Sequence, residues 1–245
     1  MGVEVLISGA NRGIGLALVR AFVESGAHVF AACRKPAEAA QLHALGTAAK
    51  DIACQAGKEG ARLEIVEMDV TSDASVNAAA EQIAASASKL EVLINNAAKG
   101  GWKDDRLAVL DLDDCMDAFE INSISPLRVS RAMLPLLSEG ERPRIVNISS
   151  KLGAIAAQTT NETYAYGSSK AALNFYSRHM AFELAPYHII VVAIHPGWVR
   201  TDMGGPKAPL TPEQSAAGIF ATVTKLTMRD TSLWFNWDGS QTVAW

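Results

Sequence analysis

No stretch of the chain approaches the roughly 20 consecutive apolar residues of a bilayer-spanning helix, so no membrane role is expected. Cysteine is scarce: Cys33, Cys54 and Cys115 are odd in number and form no CxxC pair. That excludes a disulfide framework and suits reduced thiols in the cytoplasm. The histidines, His28, His43, His179, His188 and His195, show no HxH or HxxxH spacing, and no metal site is expected. Positive charge is not in excess either. With 22 Lys and Arg against 26 Asp and Glu, a formal charge of -4 and dispersed basic residues, nothing offers a footprint for a nucleic-acid backbone. No basic leader precedes the first apolar run, and Leu6 stands where a myristoylation signal needs Ser or Thr.

What is present is apolar content in short runs. A chain of 245 residues, 49% hydrophobic and 20% charged, can bury a large core, and residues 1–245 are expected to form one α/β domain. VEVLIS, HVFAAC, LEIVEM, EVLIN, RIVNIS, IIVVAIH and SLWFNW read as seven strands, separated by segments of helical periodicity. Near-continuous hydrophobicity suits strands covered on both faces, so the expectation is a Rossmann-type, doubly wound, mostly parallel sheet. Thr71-Ser72-Asp73 offers helix caps, and Thr211-Pro212-Glu213-Gln214 reads as a capping box. Glu38 to Gly60 is expected to hold a helix with a loop, and Gly204 to Pro209 an irregular loop over the strand ends.

The first strand runs into Ser8-Gly9-Ala10-Asn11-Arg12-Gly13-Ile14-Gly15 and then a helix. Glycines between a strand and a helix N-terminus let backbone N–H groups approach a pyrophosphate, with the positive end of the helix dipole behind them. That is the expected dinucleotide site; the alternative is a tight turn without a ligand.

In YAYGSSKAALN, two tyrosines compete for one lysine. A phenol of ordinary pKa about 10 is a poor acid or base near neutrality, and an ammonium beside it favours the phenolate. Helical spacing of four places Tyr166 and Lys170 on one face; Tyr164, six residues away, points elsewhere. A long helix is expected from about Asp111 to Leu137. Within it Pro126 removes the hydrogen bond to the carbonyl of Asn122, freeing an acceptor in mid-helix.

The GxxxGxG spacing resembles the short-chain dehydrogenase/reductase family, and separated motifs along essentially the whole chain carry that resemblance. It implies a catalytic set of Asn122, Ser150, Tyr166 and Lys170. Ser150 is selected over Ser149 because the family's serine lies three residues before a glycine, here Gly153. The Asn122 carbonyl would hold a relay water. The resemblance implies cofactor contacts from Gly9, Asn11, Arg12, Gly13, Ile14, Gly15, Asp69, Val70 and Asn96 of Asn95-Asn96-Ala97-Ala98. Tyr166, Lys170, and Val199 and Thr201 of PGWVRTD complete them. NAD-preferring members carry an acid at the end of the second strand; this chain has Cys33-Arg34-Lys35. Arg34 can hold a 2′-phosphate bidentately and Arg12 adds a second cation, so NADP is expected over NAD.

Within the family the wording is similar to sniffer-type carbonyl reductases and bacterial C-factor proteins. The implied activity is NADP-dependent hydride transfer between nicotinamide and a carbonyl or alcohol, on a small-molecule substrate, in a homodimer or homotetramer. The rival is a dinucleotide-binding signalling or regulatory protein without turnover. A sugar-nucleotide epimerase is disfavoured, because little chain follows the PG motif. Trp102 and Trp198 are candidate pocket residues with packing as the alternative. His195 is expected to be structural and Lys151 solvated.

Overall fold

The computed structural model describes residues 2–100, 106–158, 164–241 and 245. Each apolar run becomes a strand: β1 (Glu4–Ser8), β2 (His28–Cys33), β3 (Arg62–Glu67), β4 (Val92–Asn95), β5 (Arg144–Ile148), β6 (Ile190–His195) and β7 (Trp234–Asn236). The helices between them are α1 (Gly13–Glu24), α2 (Ala40–Gln55), α3 (Asp73–Ser86), α4 (Leu112–Phe119), α5 (Ser125–Ser138), α6 (Tyr164–Leu184) and α7 (Pro212–Lys225). The sheet order is β3-β2-β1-β4-β5-β6-β7. All the strand pairings are parallel, so "mostly parallel" becomes wholly parallel among these strands.

Side chains of successive strand residues face opposite ways, and β1 shows what this does. Val5 and Ile7 belong to the core under α1, α2 and α7, with Leu18, Phe22, Leu42 and Ile219. Leu6 enters the opposite core under α3, α5 and α6, with Phe30, Ile83, Met133 and Ala181. The continuous apolar runs are therefore the signature of two covered faces. Chain order reverses between β1 and β4, which opens a crevice at their carboxyl ends.

The caps form as expected. Ser72 accepts the N–H of Ser75 ahead of α3, and Thr211 and Gln214 close a reciprocal capping box on α7. The expected long helix from Asp111 to Leu137 is instead two α-helices joined by a π-turn over Glu120–Ile124. Pro126 has no N–H for the α-helical ladder, and the chain accommodates it with an inserted residue. The Ser125 N–H reaches back to the Glu120 carbonyl, and the Ser125 hydroxyl donates to the same oxygen at 2.9 Å. The turn rotates Asn122 and Ser123 inward, and both are buried.

Candidate active site

The glycine loop lies at the crevice between β1 and β4. Gly9 and Gly13 have φ of +63° and +54°, the left-handed region open to glycine. A Cβ on Gly15 would stand 2.2 Å from the Gly9 carbonyl oxygen and 2.6 Å from the Asn96 side-chain nitrogen. Ser8 joins the loop to β4: its hydroxyl accepts the N–H groups of Asn96 at 3.0 Å and Ala97 at 3.1 Å. Asn96 returns two bonds, to the carbonyls of Ser8 at 3.0 Å and Gly9 at 3.1 Å. Ala98, where the resembled family has glycine, needs no positive φ. The N-terminus of α1 has no capping side chain and no acid in its first turn, in contrast to α3, α4 and α7. Its first N–H groups, at Gly13, Ile14 and Gly15, are left for an anion.

Around this cradle, Asn11 and Arg12 are exposed. Arg12 pairs with Asp202 at 2.5 Å, a long-range partner for which the sequence carries no signal. Arg34 is exposed at the end of β2, while Lys35 is paired with Glu38 at 2.9 Å. Asp69 accepts the Thr71 N–H at 3.0 Å and hydroxyl at 2.8 Å. Those bonds, with Arg34 and Arg128 nearby, hold its carboxyl below the usual carboxylate range. Val70 beside it is buried.

The segment after β6 folds back toward the glycine loop. Val199 is buried and bridges Leu210, so the expected loop from Gly204 to Pro209 is an excursion pinned at its base. A Cβ on Gly13 would stand 3.1 Å from the Thr201 methyl, which places Thr201 directly against the cradle. Trp198 is 54% exposed, with Nε1 donating to the Gly204 carbonyl, so it lies at the surface and holds the base of the excursion. Tyr164 opens α6 and is 45% exposed. Trp102 lies outside the described residues, as does part of the interval between Ser150 and Tyr166.

Strand β5 ends at Ser149-Ser150, and α6 brings Tyr166 and Lys170 against it. Ser150 Oγ accepts the Leu152 N–H at 3.2 Å and shares a hydrogen bond with the Tyr166 hydroxyl. Lys170 Nζ donates to the Ile148 carbonyl at 2.7 Å and lies 5.7 Å from the Tyr166 ring centroid. Burial pushes the Lys170 ammonium down to about 7. Burial also pushes the Tyr166 phenol up to about 12, against a smaller lowering by Ser150. The lowering expected from Lys170 is not among the influences on Tyr166 here. Desolvation of the phenolate is the larger of the two that act and favours the protonated phenol.

The side chain of Asn122 is fully used. Oδ1 accepts the Lys99 N–H at 2.8 Å, and Nδ2 donates to the Lys99 carbonyl at 2.9 Å and to Ser169 Oγ at 3.0 Å. Ser169 passes the link on to the Tyr166 carbonyl at 2.8 Å. The π-turn is thereby tied to the helix that carries the acid. His195 accepts the Lys151 N–H through Nδ1 at 3.3 Å; burial and the Lys151 charge push it down to about 4, so it is neutral. The structure thus brings Ser150, Tyr166 and Lys170 together beside the glycine cradle, with Asn122 one link behind.

Comparison with known proteins identifies the family and agrees with the fold. A short chain dehydrogenase family model matches residues 4–210. The C-signal of Myxococcus xanthus is 41% identical over 157 residues, 64% of this chain and 93% of that protein. An uncharacterised oxidoreductase of Schizosaccharomyces pombe is 33% identical over 253 residues, 96% of this chain and 95% of that one. Among solved structures, the carbonyl reductase Sniffer of D. melanogaster superposes with a TM-score of 0.89 at 31% identity, over 100% of both chains. An NADPH-bound carbonyl reductase from chicken fatty liver does so at 0.86 and 32%, again over 100% of both. A family model spanning most of the sequence, on a wholly parallel doubly wound sheet, makes this chain a member of the short-chain dehydrogenase/reductase family.

Proposed function

We propose that the protein is an NADP(H)-dependent oxidoreductase that passes a hydride between nicotinamide and a small carbonyl or alcohol, working as a carbonyl reductase. The observation that carries this reading is the Ser150–Tyr166 hydrogen bond above buried Lys170, beside an uncapped helix N-terminus. The glycine loop fits a dinucleotide pyrophosphate: the N-terminus of α1 carries no side-chain cap and no acid, and Gly15 leaves no room for a side chain where the loop packs against the Gly9 carbonyl and Asn96. No acid follows Cys33, and Arg34 and Arg12 supply cations suited to a 2′-phosphate. The similarity to an NADPH-bound carbonyl reductase supports the same preference.

When bound, the dinucleotide supplies or accepts the hydride. Every other task falls to the chain. The N–H groups of Gly13, Ile14 and Gly15 would hold the pyrophosphate, Asp69 and Val70 the adenine, and Val199 and Thr201 the nicotinamide and phosphate side, while Asn96 braces the glycine loop through the Ser8 and Gly9 carbonyls. Ser150, with Leu152 N–H on its oxygen, directs its own proton at the carbonyl oxygen. Tyr166 delivers the proton in reduction and recovers it in oxidation. Lys170 binds the ribose hydroxyls, and Asn122 braces the π-turn whose carbonyls offer a path for proton resupply.

Similarity to the C-signal favours a second reading, a dinucleotide-binding signalling protein without turnover. One experiment separates the two. NADPH and NADH are titrated into wild type and Tyr166→Phe, and turnover is followed on aldehydes, ketones and quinones. The enzyme reading expects NADPH to bind more tightly than NADH in both proteins. It also expects kcat/KM to fall by about 10²–10⁴-fold in Tyr166→Phe. Binding without turnover in wild type would favour the signalling role, and equal affinity for the two cofactors would remove the NADP preference.

A further inference from the structure

Asn174 lies on α6 one turn beyond Lys170, with 3% exposure, and none of the roles above uses it. Its Oδ1 accepts the Ser149 hydroxyl at 2.5 Å, and its Nδ2 donates to the Gly153 carbonyl at 3.3 Å. The amide orientation follows from the partners: reversed, Oδ1 would face the Gly153 carbonyl, two acceptors without a proton. One partner precedes Ser150 and the other follows it, so a single side chain on the Tyr166 helix grips both flanks of the serine.

Packing reinforces that grip. A Cβ on Gly153 would stand 2.6 Å from the Lys170 carbonyl carbon and 2.8 Å from the Ala171 nitrogen. The loop therefore sits directly on the backbone of α6. Register between β5 and α6 is already fixed elsewhere, by Lys170 on the Ile148 carbonyl at 2.7 Å and by Asn147 on Ser177 at 2.9 Å. Holding the helix to the strand does not require a third link. What Asn174 adds is the loop itself, because its bond to Gly153 lies beyond the strand end.

We infer that Asn174 is a positioning residue: by tying Ser149 and Gly153 to α6 it fixes the separation of the Ser150 and Tyr166 hydroxyls, and so the rate of the chemical step. This rests on the carbonyl reductase reading. Hydroxyls that must meet one carbonyl oxygen tolerate little displacement, and a misplacement of about 1 Å can cost up to about 10²-fold in rate.

The test uses Asn174→Leu, close in shape but without polar atoms, with Ser149→Ala and the double variant. Single-turnover oxidation of NADPH by nitrobenzaldehydes or ortho-quinones is followed by stopped flow. A displaced serine lowers the rate constant, whereas partial unfolding lowers only the amplitude. Asn174→Leu is expected to slow the rate constant about tenfold, and Ser149→Ala severalfold. The double variant should be no slower than Asn174→Leu, with NADPH affinity within about twofold throughout. A wild-type rate constant in folded Asn174→Leu, or independent effects that multiply in the double variant, would overturn the proposal. If Asn174→Leu does not fold, Ser149→Ala decides alone, and a wild-type rate constant there overturns it. If wild type itself turns over no carbonyl, the functional reading has failed. The tether is then judged by amide exchange of Leu152 to Ala154: faster exchange in Ser149→Ala upholds it, and unchanged exchange refutes it.

Discussion

Lys170 is a cation placed where water is excluded, 2% exposed, with its ammonium donating to the Ile148 backbone carbonyl. That placement opposes folding. Its pKa lies at about 7 in the folded protein against 10.5 ordinarily, so the unfolded chain holds more protons between those values and stability rises with pH across that window. Below about pH 7 both states carry the proton and the full penalty applies. Tyr166 acts in a separate window: the fold keeps its proton up to about 12 against 10.0 ordinarily, so stability declines above about pH 10. Lys170→Met, apolar and similar in length, is expected to abolish turnover and yet stabilise the protein at pH 7. A Tm gain of about 3 °C or more corresponds to ~1 kcal/mol in a domain of this size, and the rise in stability from pH 7 to 10 should disappear. Urea unfolding across that range checks it; an unchanged slope would mean that Lys170 is not desolvated as described. The choice of Tyr166 over Tyr164 was legible at this scale, since spacing of four on a helix is local geometry. The direction of the Tyr166 pKa was not, because desolvation depends on what closes over the ring, and that is assembled from distant segments.

At the scale of elements, the strand–loop–helix unit from β1 into α1 was the most legible part of the site. Its glycines signal close approach in sequence and meet it in space, at Asn96 and at the Gly9 carbonyl. Gly15→Ala would place a methyl 2.2 Å from that carbonyl oxygen and 2.6 Å from the Asn96 side-chain nitrogen, which is itself bonded to the Ser8 and Gly9 carbonyls, so the loop must move. The variant is expected to lose NADPH affinity by at least about tenfold, with a destabilisation of about 1–3 kcal/mol for overpacking. Calorimetric titration against thermal unfolding separates the two effects, and retained affinity would remove Gly15 from the cradle. The seven strands were legible for a comparable reason, because burial on both faces leaves a continuous apolar run. The π-turn was hidden. Pro126 announced a break in the helix, but whether the chain answers with a lost bond or an inserted residue depends on the inward pull on Asn122 from Lys99 and Ser169. Asn174 was visible as an i+4 neighbour of Lys170, yet nothing local marks it as the holder of a loop. Asp202, which takes Arg12, is separated from it by most of the chain.

At the scale of the molecule, the faces of α4 and α6 call for a cover. The two helices pack side by side and carry Leu112, Met116, Phe175 and Phe182 at the surface, each more than half exposed. Beside them a cleft between α3, α5 and α6 is lined by Leu127, Leu134, Met180 and Leu184, with Arg131 and Glu183 among its charged residues. A surface that holds apolar side chains together with both an acid and a base can be its own complement across a two-fold axis, which suits the assembly the family resemblance implies, a homodimer or homotetramer paired through the helix from Asp111 and the helix that carries Tyr166. A stable dimer buries about 800 Å² on each partner, within reach of two helix faces and the adjoining cleft. Phe175→Glu with Phe182→Glu puts two carboxylates at the proposed seam, where each would face its own copy across the axis. Sedimentation at micromolar protein should show a dimer for wild type and a monomer for the double variant. Because both rings are exposed on the single chain, NADPH affinity of the monomer should stay close to wild type. A wild-type monomer, or a variant that sediments as wild type does, would place any assembly on a different face.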